Sequence, residues 1–182
     1  MKLILKKGTI ADAPKGYVRV ALTDAAKGTK RFVKEGETET LQIGIGKDAL
    51  NQRQFIILCR AVVQSAKANK IKKLALELPD LDSARAQLAG ENFEMANYEF
   101  NNFKTKPKEG WNDVEEIVLY CSDVKAVETA AKKGQEVGKA VNACRTVPVG
   151  RSMMARALFS CSESTASFRS LMWTNSGSGS MG

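Results

Sequence analysis

Two glycine-containing stretches of this 182-residue chain have the residue types that can bind phosphate. Residues 44–46 read Gly-Ile-Gly between a strand pattern and a helix pattern, which is the setting of a dinucleotide-binding turn. Ala49 stands at the position of the third glycine, and Glu77 in the next strand is the candidate acid for a ribose. A tight turn that requires small residues explains the same glycines more simply, and we favour that interpretation.

The second stretch, residues 134–140, reads Gly-Gln-Glu-Val-Gly-Lys-Ala and has an incomplete phosphate-loop pattern. The spacing between its glycines is one residue short, and Ala140 lacks the hydroxyl that would bind magnesium. The stretch also lies inside a helix pattern, where a loop around a phosphate cannot form. We therefore reject a phosphate site here.

Close pairs of carboxylates occur twice near the ends of predicted elements. Such pairs can perform acid–base chemistry or hold a metal ion. Asp80 and Asp82 follow Pro79 and are placed to cap the coming helix. Glu115 and Glu116 are neighbours in a strand pattern, so their side chains face opposite ways. We predict no catalytic, cofactor-binding or metal-binding residue in this chain.

Histidine and cysteine usage narrows the possible chemistry further. The chain has no His, which excludes mechanisms that need an imidazole base or ligand. Its four Cys are scattered without a C-x-x-C pair, so neither a zinc ribbon nor a disulfide scaffold is supported. The first seven residues have too short an apolar run for a signal peptide, and no stretch approaches the roughly 20 apolar residues that span a bilayer. We expect a cytoplasmic protein without membrane contact.

The net charge of +8 is concentrated at the two ends of the chain. Residues 1–34 carry +7, residues 35–144 carry −2, and residues 145–182 carry +3. A basic end can bind phosphate backbones, so a nucleic-acid-binding module that uses the N-terminal 34 residues is an alternative function. A solvated surface with a basic bias is the simpler interpretation of the same charges.

Serine usage divides the chain near residue 145. Residues 1–144 contain three Ser and residues 145–182 contain nine, ending in a Ser- and Gly-rich stretch with the composition of a flexible linker. We predict a folded domain over residues 1–145. Residues 146–182 are predicted to be a divergent, Ser-rich, poorly ordered tail, with one helical segment around Met153–Phe159.

Strand and helix patterns alternate along the predicted domain. Strand patterns occur at Met1–Lys7, Tyr17–Leu22, Glu39–Ile45, Lys72–Leu78 and Glu115–Cys121. Helix patterns begin near Asp48, which can cap the first, at Asp82 or Ser83 with an end near Lys104, and at Asp123 with an end near Cys144. This alternation predicts an α/β fold, in which a mainly parallel or mixed sheet is flanked by helices.

Residues 96–106 (Ala-Asn-Tyr-Glu-Phe-Asn-Asn-Phe-Lys-Thr-Lys) resemble a segment of the leucine aminopeptidase (cytosol aminopeptidase) family. In that family the segment lies on a helix late in the N-terminal domain. Residues 44–47, the strands Lys73–Leu78 and Glu116–Tyr120, and Gly134–Arg145, which is similar to the family's linker helix, follow in the same order. The resemblance covers about residues 40–145 and stops after Arg145.

The resemblance implies a macro-domain-like α/β fold and a role in assembly, because the family forms homohexamers. Partners would be copies of this chain or full-length aminopeptidase subunits. The family releases N-terminal amino acids from peptides with two divalent metal ions (zinc, manganese or magnesium). A separate C-terminal domain holds these ions, and we expect this chain to lack that domain. Leu22–Gly28 echoes a metal motif of that domain, but Ala26 stands where the glutamate ligand should be. The likeness to macro domains also makes ADP-ribose binding a third hypothesis.

Overall fold

Six strands form one mixed sheet in the computed structural model, which describes residues 1–36, 38–101 and 104–146. The strands are β1 (Lys2–Lys7), β2 (Val18–Thr23), β3 (Lys30–Glu35), β4 (Thr38–Gly44), β5 (Lys73–Glu77) and β6 (Glu116–Cys121). The helices are α1 (Gln52–Ala68), α2 (Ser83–Asn97) and α3 (Val124–Thr146), and a 3-10 turn spans Ile10–Asp12. The predictions for the tail, including the helical segment around Met153–Phe159, concern residues 147–182 and lie outside the described residues.

The strands lie in the order β1-β6-β5-β2-β4-β3 across the sheet. Neighbouring strands are parallel except at one edge, where β3 pairs antiparallel with β4. The predicted fold class, α/β with a mainly parallel or mixed sheet flanked by helices, is confirmed. β3 was not predicted, and it makes the sheet mixed.

The three helices pack on one face of the sheet, and the connection between β1 and β2 covers part of the other face. β4, β5 and β6 follow one another in a single direction across the sheet, so right-handed crossovers place α1 and α2 on the same side. The step from β1 to β2 runs in the opposite direction and passes over the other face. There, Tyr120 Oη donates to Asp12 O at 3.1 Å and Arg19 donates to Ala11 O at 3.2 Å.

Apolar side chains fill the space between the sheet and the helices. Phe55 and Phe93 from the helices, with Leu74 and Ile117 from the central strands, are fully buried. Truncating a buried aromatic of this size to alanine typically costs about 3–5 kcal/mol. This core fixes how the helices lie on the sheet.

The ends of two helices differ from the sequence prediction. α1 is capped by Asn51 and not by Asp48: the Asn51 side chain accepts from Gln54 N at 2.9 Å, and the Gln54 side chain accepts from Asn51 N at 3.1 Å. This reciprocal capping box moves the start of the helix past Leu50, which is buried. α2 is capped by Asp82, as expected, but it ends at Asn97 and not near Lys104.

Candidate functional site

The segment that resembles the aminopeptidase family leaves α2 at Asn97 and is held in place by that residue. Asn97 Nδ2 donates to Val114 O at 2.9 Å, and Asn97 Oδ1 accepts from Val114 N at 2.8 Å. The amide side chain thus pairs with the backbone as a neighbouring strand would. Beyond Asn97 the expected helix is absent from the described part of residues 96–106, since this pairing fixes the chain in another direction; Asn102 and Phe103 lie outside the described residues.

Lys67, in the last turn of α1, gathers oxygen acceptors around the same segment. Its ammonium group donates to Asn97 O and to Asp113 Oδ1, both at 2.9 Å, and lies 3.6 Å from Glu99 Oε2. The Lys67 side chain is only 15% exposed, so these contacts are less screened than those of a surface ion pair. The hydrogen bond from Lys104 lowers the pKa of Glu99 against the opposing effect of burial, and Lys67 lowers it further.

A polar cavity of about 300 Å³ lies beside this segment, where α2 and α3 end. Its walls include Glu94, Tyr98, Asn142 and Thr146. Thr146 Oγ1 donates to Asn142 O at 2.8 Å and lies 3.2 Å from Tyr98 Oη, while Asn142 Nδ2 donates to Glu94 O at 2.9 Å. These contacts fix the last turn of α3 against the segment that carries the family resemblance.

The glycines of residues 134–140 permit a close crossing of α3 over α2. A Cβ atom at Gly134 would collide with the carbonyl oxygen of Gln87, and one at Gly138 would lie 2.8 Å from Glu91 O. Gly90 on α2 makes the same kind of contact, because its Cβ would collide with Ala131 O. The whole stretch is helical, as the sequence pattern predicts.

The glycines of residues 44–46 form a turn that closes on the loop between β2 and β3. The three backbone N–H groups of this turn donate, in order, to the carbonyls of Thr29, Thr23 and Ala25 at 2.8, 2.9 and 3.0 Å. A Cβ at the first glycine would lie 2.8 Å from the Ala25 oxygen. Because all three N–H groups have protein acceptors, none is free to bind a phosphate. The tight-turn interpretation is confirmed, and the ADP-ribose hypothesis loses the loop it needs.

The carboxylate pairs have separate structural partners. Asp82 Oδ1 accepts from Arg85 N at 2.7 Å as the cap of α2, and Asp80 lies 3.2 Å from the Arg85 guanidinium. Glu115 lies 3.9 Å from the Lys72 ammonium. Within residues 1–36, 38–101 and 104–146, no group of three His, Cys, Asp or Glu side chains could hold a metal ion.

Cys59 and Cys121 are in settings of low reactivity. Burial raises the pKa of the Cys59 thiol to about 12, and burial, with the nearby Asp123, also raises the pKa of Cys121. A thiol with a raised pKa forms little thiolate at neutral pH and is a poor nucleophile. Cys144 is exposed, and Cys161 lies outside the described residues.

The basic N-terminal 34 residues are divided between opposite edges of the sheet. β1 carries three lysines at one edge, and β3 carries two lysines and an arginine at the other. Five strand spacings separate these edges, which is roughly 24 Å. The sheet thus does not bring these charges together into one continuous patch for a phosphate backbone, and the nucleic-acid alternative is not favoured. None of the three described helices is both long and apolar enough to cross a bilayer.

Two cavities with both apolar and polar lining residues lie between α1 and the β3–β4 edge, and we call them together the α1–β3 groove. One part, of about 310 Å³, is lined by Phe32, Leu41 and Ser65 among others. A second part, of about 240 Å³, follows along α1 and includes Ile43 and Ile57. Phe32 and Ile57, at 38% and 55% exposed, are two of the four exposed large hydrophobic residues in the described part of the chain.

The sequence analysis did not find this groove because it did not find β3. The strand reads Lys-Arg-Phe-Val-Lys-Glu, with only two apolar residues between charged ones. A charged strand is typical of a sheet edge, where lysine discourages pairing between copies. The Phe32–Val33 pair and the two-residue connection to β4 were the available signals of a hairpin.

The fold and the sequence both match known aminopeptidases. Residues 29–107 match a sequence model of the cytosol aminopeptidase family, N-terminal domain. The structure is similar to that of a mutant of tomato leucine aminopeptidase, with a TM-score of 0.60 and 12% identity, over 79% of this chain and 36% of that chain.

Two structures of the bottromycin maturation enzyme BotP are also similar. The one in complex with Mn has a TM-score of 0.54 and 15% identity, over 73% of this chain and 31% of that chain. The other has a TM-score of 0.54 and 18% identity, over 71% of this chain and 32% of that chain. This chain therefore spans about a third of the length of the solved enzymes that it matches.

The class of protein is thus an α/β domain with the fold found in leucine aminopeptidase structures. With the sequence match over residues 29–107, this chain is similar to the N-terminal domain of the cytosol aminopeptidase family. The family resemblance identified from the sequence is confirmed.

Proposed function

We propose that this chain is a non-catalytic assembly domain of a leucyl-aminopeptidase-like metallo-exopeptidase. The reaction of the whole enzyme is the metal-dependent release of N-terminal amino acids from peptides. In this proposal a separate domain performs that reaction with two divalent ions, which are zinc, manganese or magnesium. The present chain works in the cytoplasm by joining copies of itself or full-length subunits. The match of residues 29–107 to the N-terminal domain of the family carries the proposal.

The ionisable side chains of the described domain support a structural role. Lys67 holds the backbone of Asn97 and the carboxylate of Asp113, and Asp82 caps a helix. Gln135 donates to Met1 O at 2.7 Å and to Glu94 Oε2 at 3.1 Å, so even the first residue is tied to α2 and α3. These groups stabilise the domain, and their contacts leave them unsuited to bind a substrate.

The packing of α3 suits a domain that presents a fixed surface to other subunits. Glycine contacts hold α3 against α2, and the polar network around Thr146 fixes its last turn. A rigid element loses little conformational entropy on association, which favours binding. Val137 on this helix is 38% exposed and is available for such a contact.

An activity assay of the purified chain tests the absence of a catalytic site. Leucyl-p-nitroanilide hydrolysis is measured with added Mn²⁺ or Zn²⁺, with and without a chelator, beside a full-length cytosol aminopeptidase as positive control. We expect turnover by the full-length enzyme and none above buffer by this chain. Metal-dependent turnover by this chain that a chelator abolishes would contradict the proposal.

A further inference from the structure

The outer edge of β3 has backbone groups that no strand of the described domain pairs with. β3 ends the sheet and pairs only with β4. Gly44 N donates to Thr29 O at 2.8 Å, so the carbonyl of Thr29 faces β4. Because alternate residues of an antiparallel strand bond to the same neighbour, the N–H and C=O groups of Lys30, Phe32 and Lys34 point away from β4. An edge of this kind is the template for strand addition by an extended peptide.

The α1–β3 groove borders this edge and contains an unsatisfied polar group. Phe32 extends from β3 into the groove wall and is 38% exposed. Ser65 on α1 is 5% exposed and lines the same cavity, and its Oγ has no hydrogen-bond partner among the residues that the structure describes. A buried hydroxyl without a partner is destabilising, so a ligand group that bonds to it would gain affinity.

The charges on β3 select what can pair with its edge. Lys30, Arg31 and Lys34 are exposed, and Glu35 is the one acid of the strand. Lys34 lies 2.9 Å from Glu39, whereas no ion pair forms at Lys30 or Arg31 among the described residues. Antiparallel pairing with β3 of a second copy, centred on Phe32, would place Lys30 opposite Lys34, and like charges in that position are unfavourable. An acidic strand complements the edge.

We propose that the β3 edge binds an extended, acidic segment of a partner protein by strand addition. One apolar side chain of that segment enters the α1–β3 groove beside Phe32, and flanking carboxylates lie next to Lys30 and Lys34. Alternate residues of a strand are about 6.6–6.8 Å apart, so the recognised pattern is acid-x-apolar-x-acid. This proposal stands on the edge and the groove alone and does not rest on the assembly function proposed above.

The test uses the full chain and a fluorescein-labelled peptide, Gly-Asp-Thr-Val-Thr-Glu-Gly. Fluorescence anisotropy measures its dissociation constant at low and high salt, and a peptide with Lys at both acidic positions is the charge control. We expect measurable binding of the acidic peptide that weakens with salt, and at least roughly tenfold weaker binding of the lysine peptide. N-methylation of the central valine, which removes its N–H, tests whether backbone pairing is required.

Charge-reversal variants and hydrogen exchange locate the site. The double variant Lys30→Glu and Arg31→Glu should weaken binding roughly tenfold. The control variant Lys125→Glu and Lys133→Glu makes the same change of net charge on α3 and should leave binding unchanged. In the unmodified chain, the acidic peptide should slow hydrogen exchange at the amides of Lys30, Phe32 and Lys34.

Several outcomes would overturn the inference. One is equal binding of the acidic and lysine peptides, and another is a dissociation constant above about 1 mM for the acidic peptide. A third is slowed hydrogen exchange that is confined to amides outside β3. Protection of the β3 amides that rises with protein concentration in the absence of peptide would show that a second copy occupies the edge. Each of these results leaves the activity test of the assembly domain unaffected, so the two proposals fail separately.

Discussion

The two sides of the helical layer differ in how completely they are packed. Between α2 and α3, glycines at residues 90, 134 and 138 let the helices approach until a single added Cβ would touch backbone. Between α1 and the β3–β4 edge, a groove remains with two exposed hydrophobic side chains and an unsatisfied serine hydroxyl. The packed side can define the shape of the domain, and the open side is where a partner can add contacts.

The packed side should be the more sensitive to mutation. For Gly134→Ala we expect a net loss of about 1–2 kcal/mol in the free energy of unfolding, because the added Cβ would collide with the Gln87 carbonyl and force the helices apart. Alanine is intrinsically better than glycine in a helix by about 1 kcal/mol, so the collision must exceed that gain. Urea denaturation measures the loss, with the exposed neighbour Lys133→Ala as control. A stabilised Gly134→Ala protein would show that the helices are not in close contact.

The ion pairs at the end of α1 allow a matched comparison of a mostly buried lysine with an exposed one. Lys67→Met should cost about 1–3 kcal/mol, because the Asn97 carbonyl and the Asp113 carboxylate lose their donor. Lys70→Met breaks the fully exposed pair with Glu109 and should leave the free energy of unfolding almost unchanged. Equal losses in urea denaturation would show that the Lys67 contacts are as well solvated as a surface pair.

The unsatisfied hydroxyl on the open side should make a serine-to-alanine substitution favourable. Ser65→Ala removes a buried polar group without a partner, and we expect a gain of about 1 kcal/mol in the free energy of unfolding. Ser83→Ala, at the exposed start of α2, should change stability by about 0.5 kcal/mol or less. Thermal and urea unfolding compare the two variants, and a destabilised Ser65→Ala protein would indicate that the hydroxyl has a partner.

The smallest predicted effect concerns pH. Lys104 and Lys67 lower the pKa of Glu99 in the folded protein, so the unfolded chain binds its proton more readily. The stability from this group is present above the ordinary glutamate pKa and is lost as pH falls through the lowered value. Glu99→Gln should therefore flatten the acid part of the stability–pH curve, whereas Glu35→Gln at the exposed edge should not. If the free energy of unfolding falls equally steeply at acid pH in Glu99→Gln and in the parent chain, the lowered pKa of Glu99 is contradicted.

Most of the fold could be predicted from local patterns, whereas its edge and its helix ends depended on tertiary contacts. Five strands and three helices follow hydrophobic periodicity, which the core enforces. β3 does not show this periodicity, because an edge strand with one solvated side needs few apolar residues. The early end of α2 depends on Asn97 pairing with Val114, which is distant in sequence. The glycines of α3 could be rejected as a phosphate loop, but their contact with Gln87 required the structure.

The mass of the chain in solution, by light scattering, tests the assembly function most directly. It is measured for the chain alone and after mixing with a full-length cytosol aminopeptidase. The account predicts either self-assembled particles or a mixed particle heavier than the full-length enzyme by whole copies of this chain. A strictly monomeric chain that leaves the mass of the full-length enzyme unchanged at every ratio would contradict it.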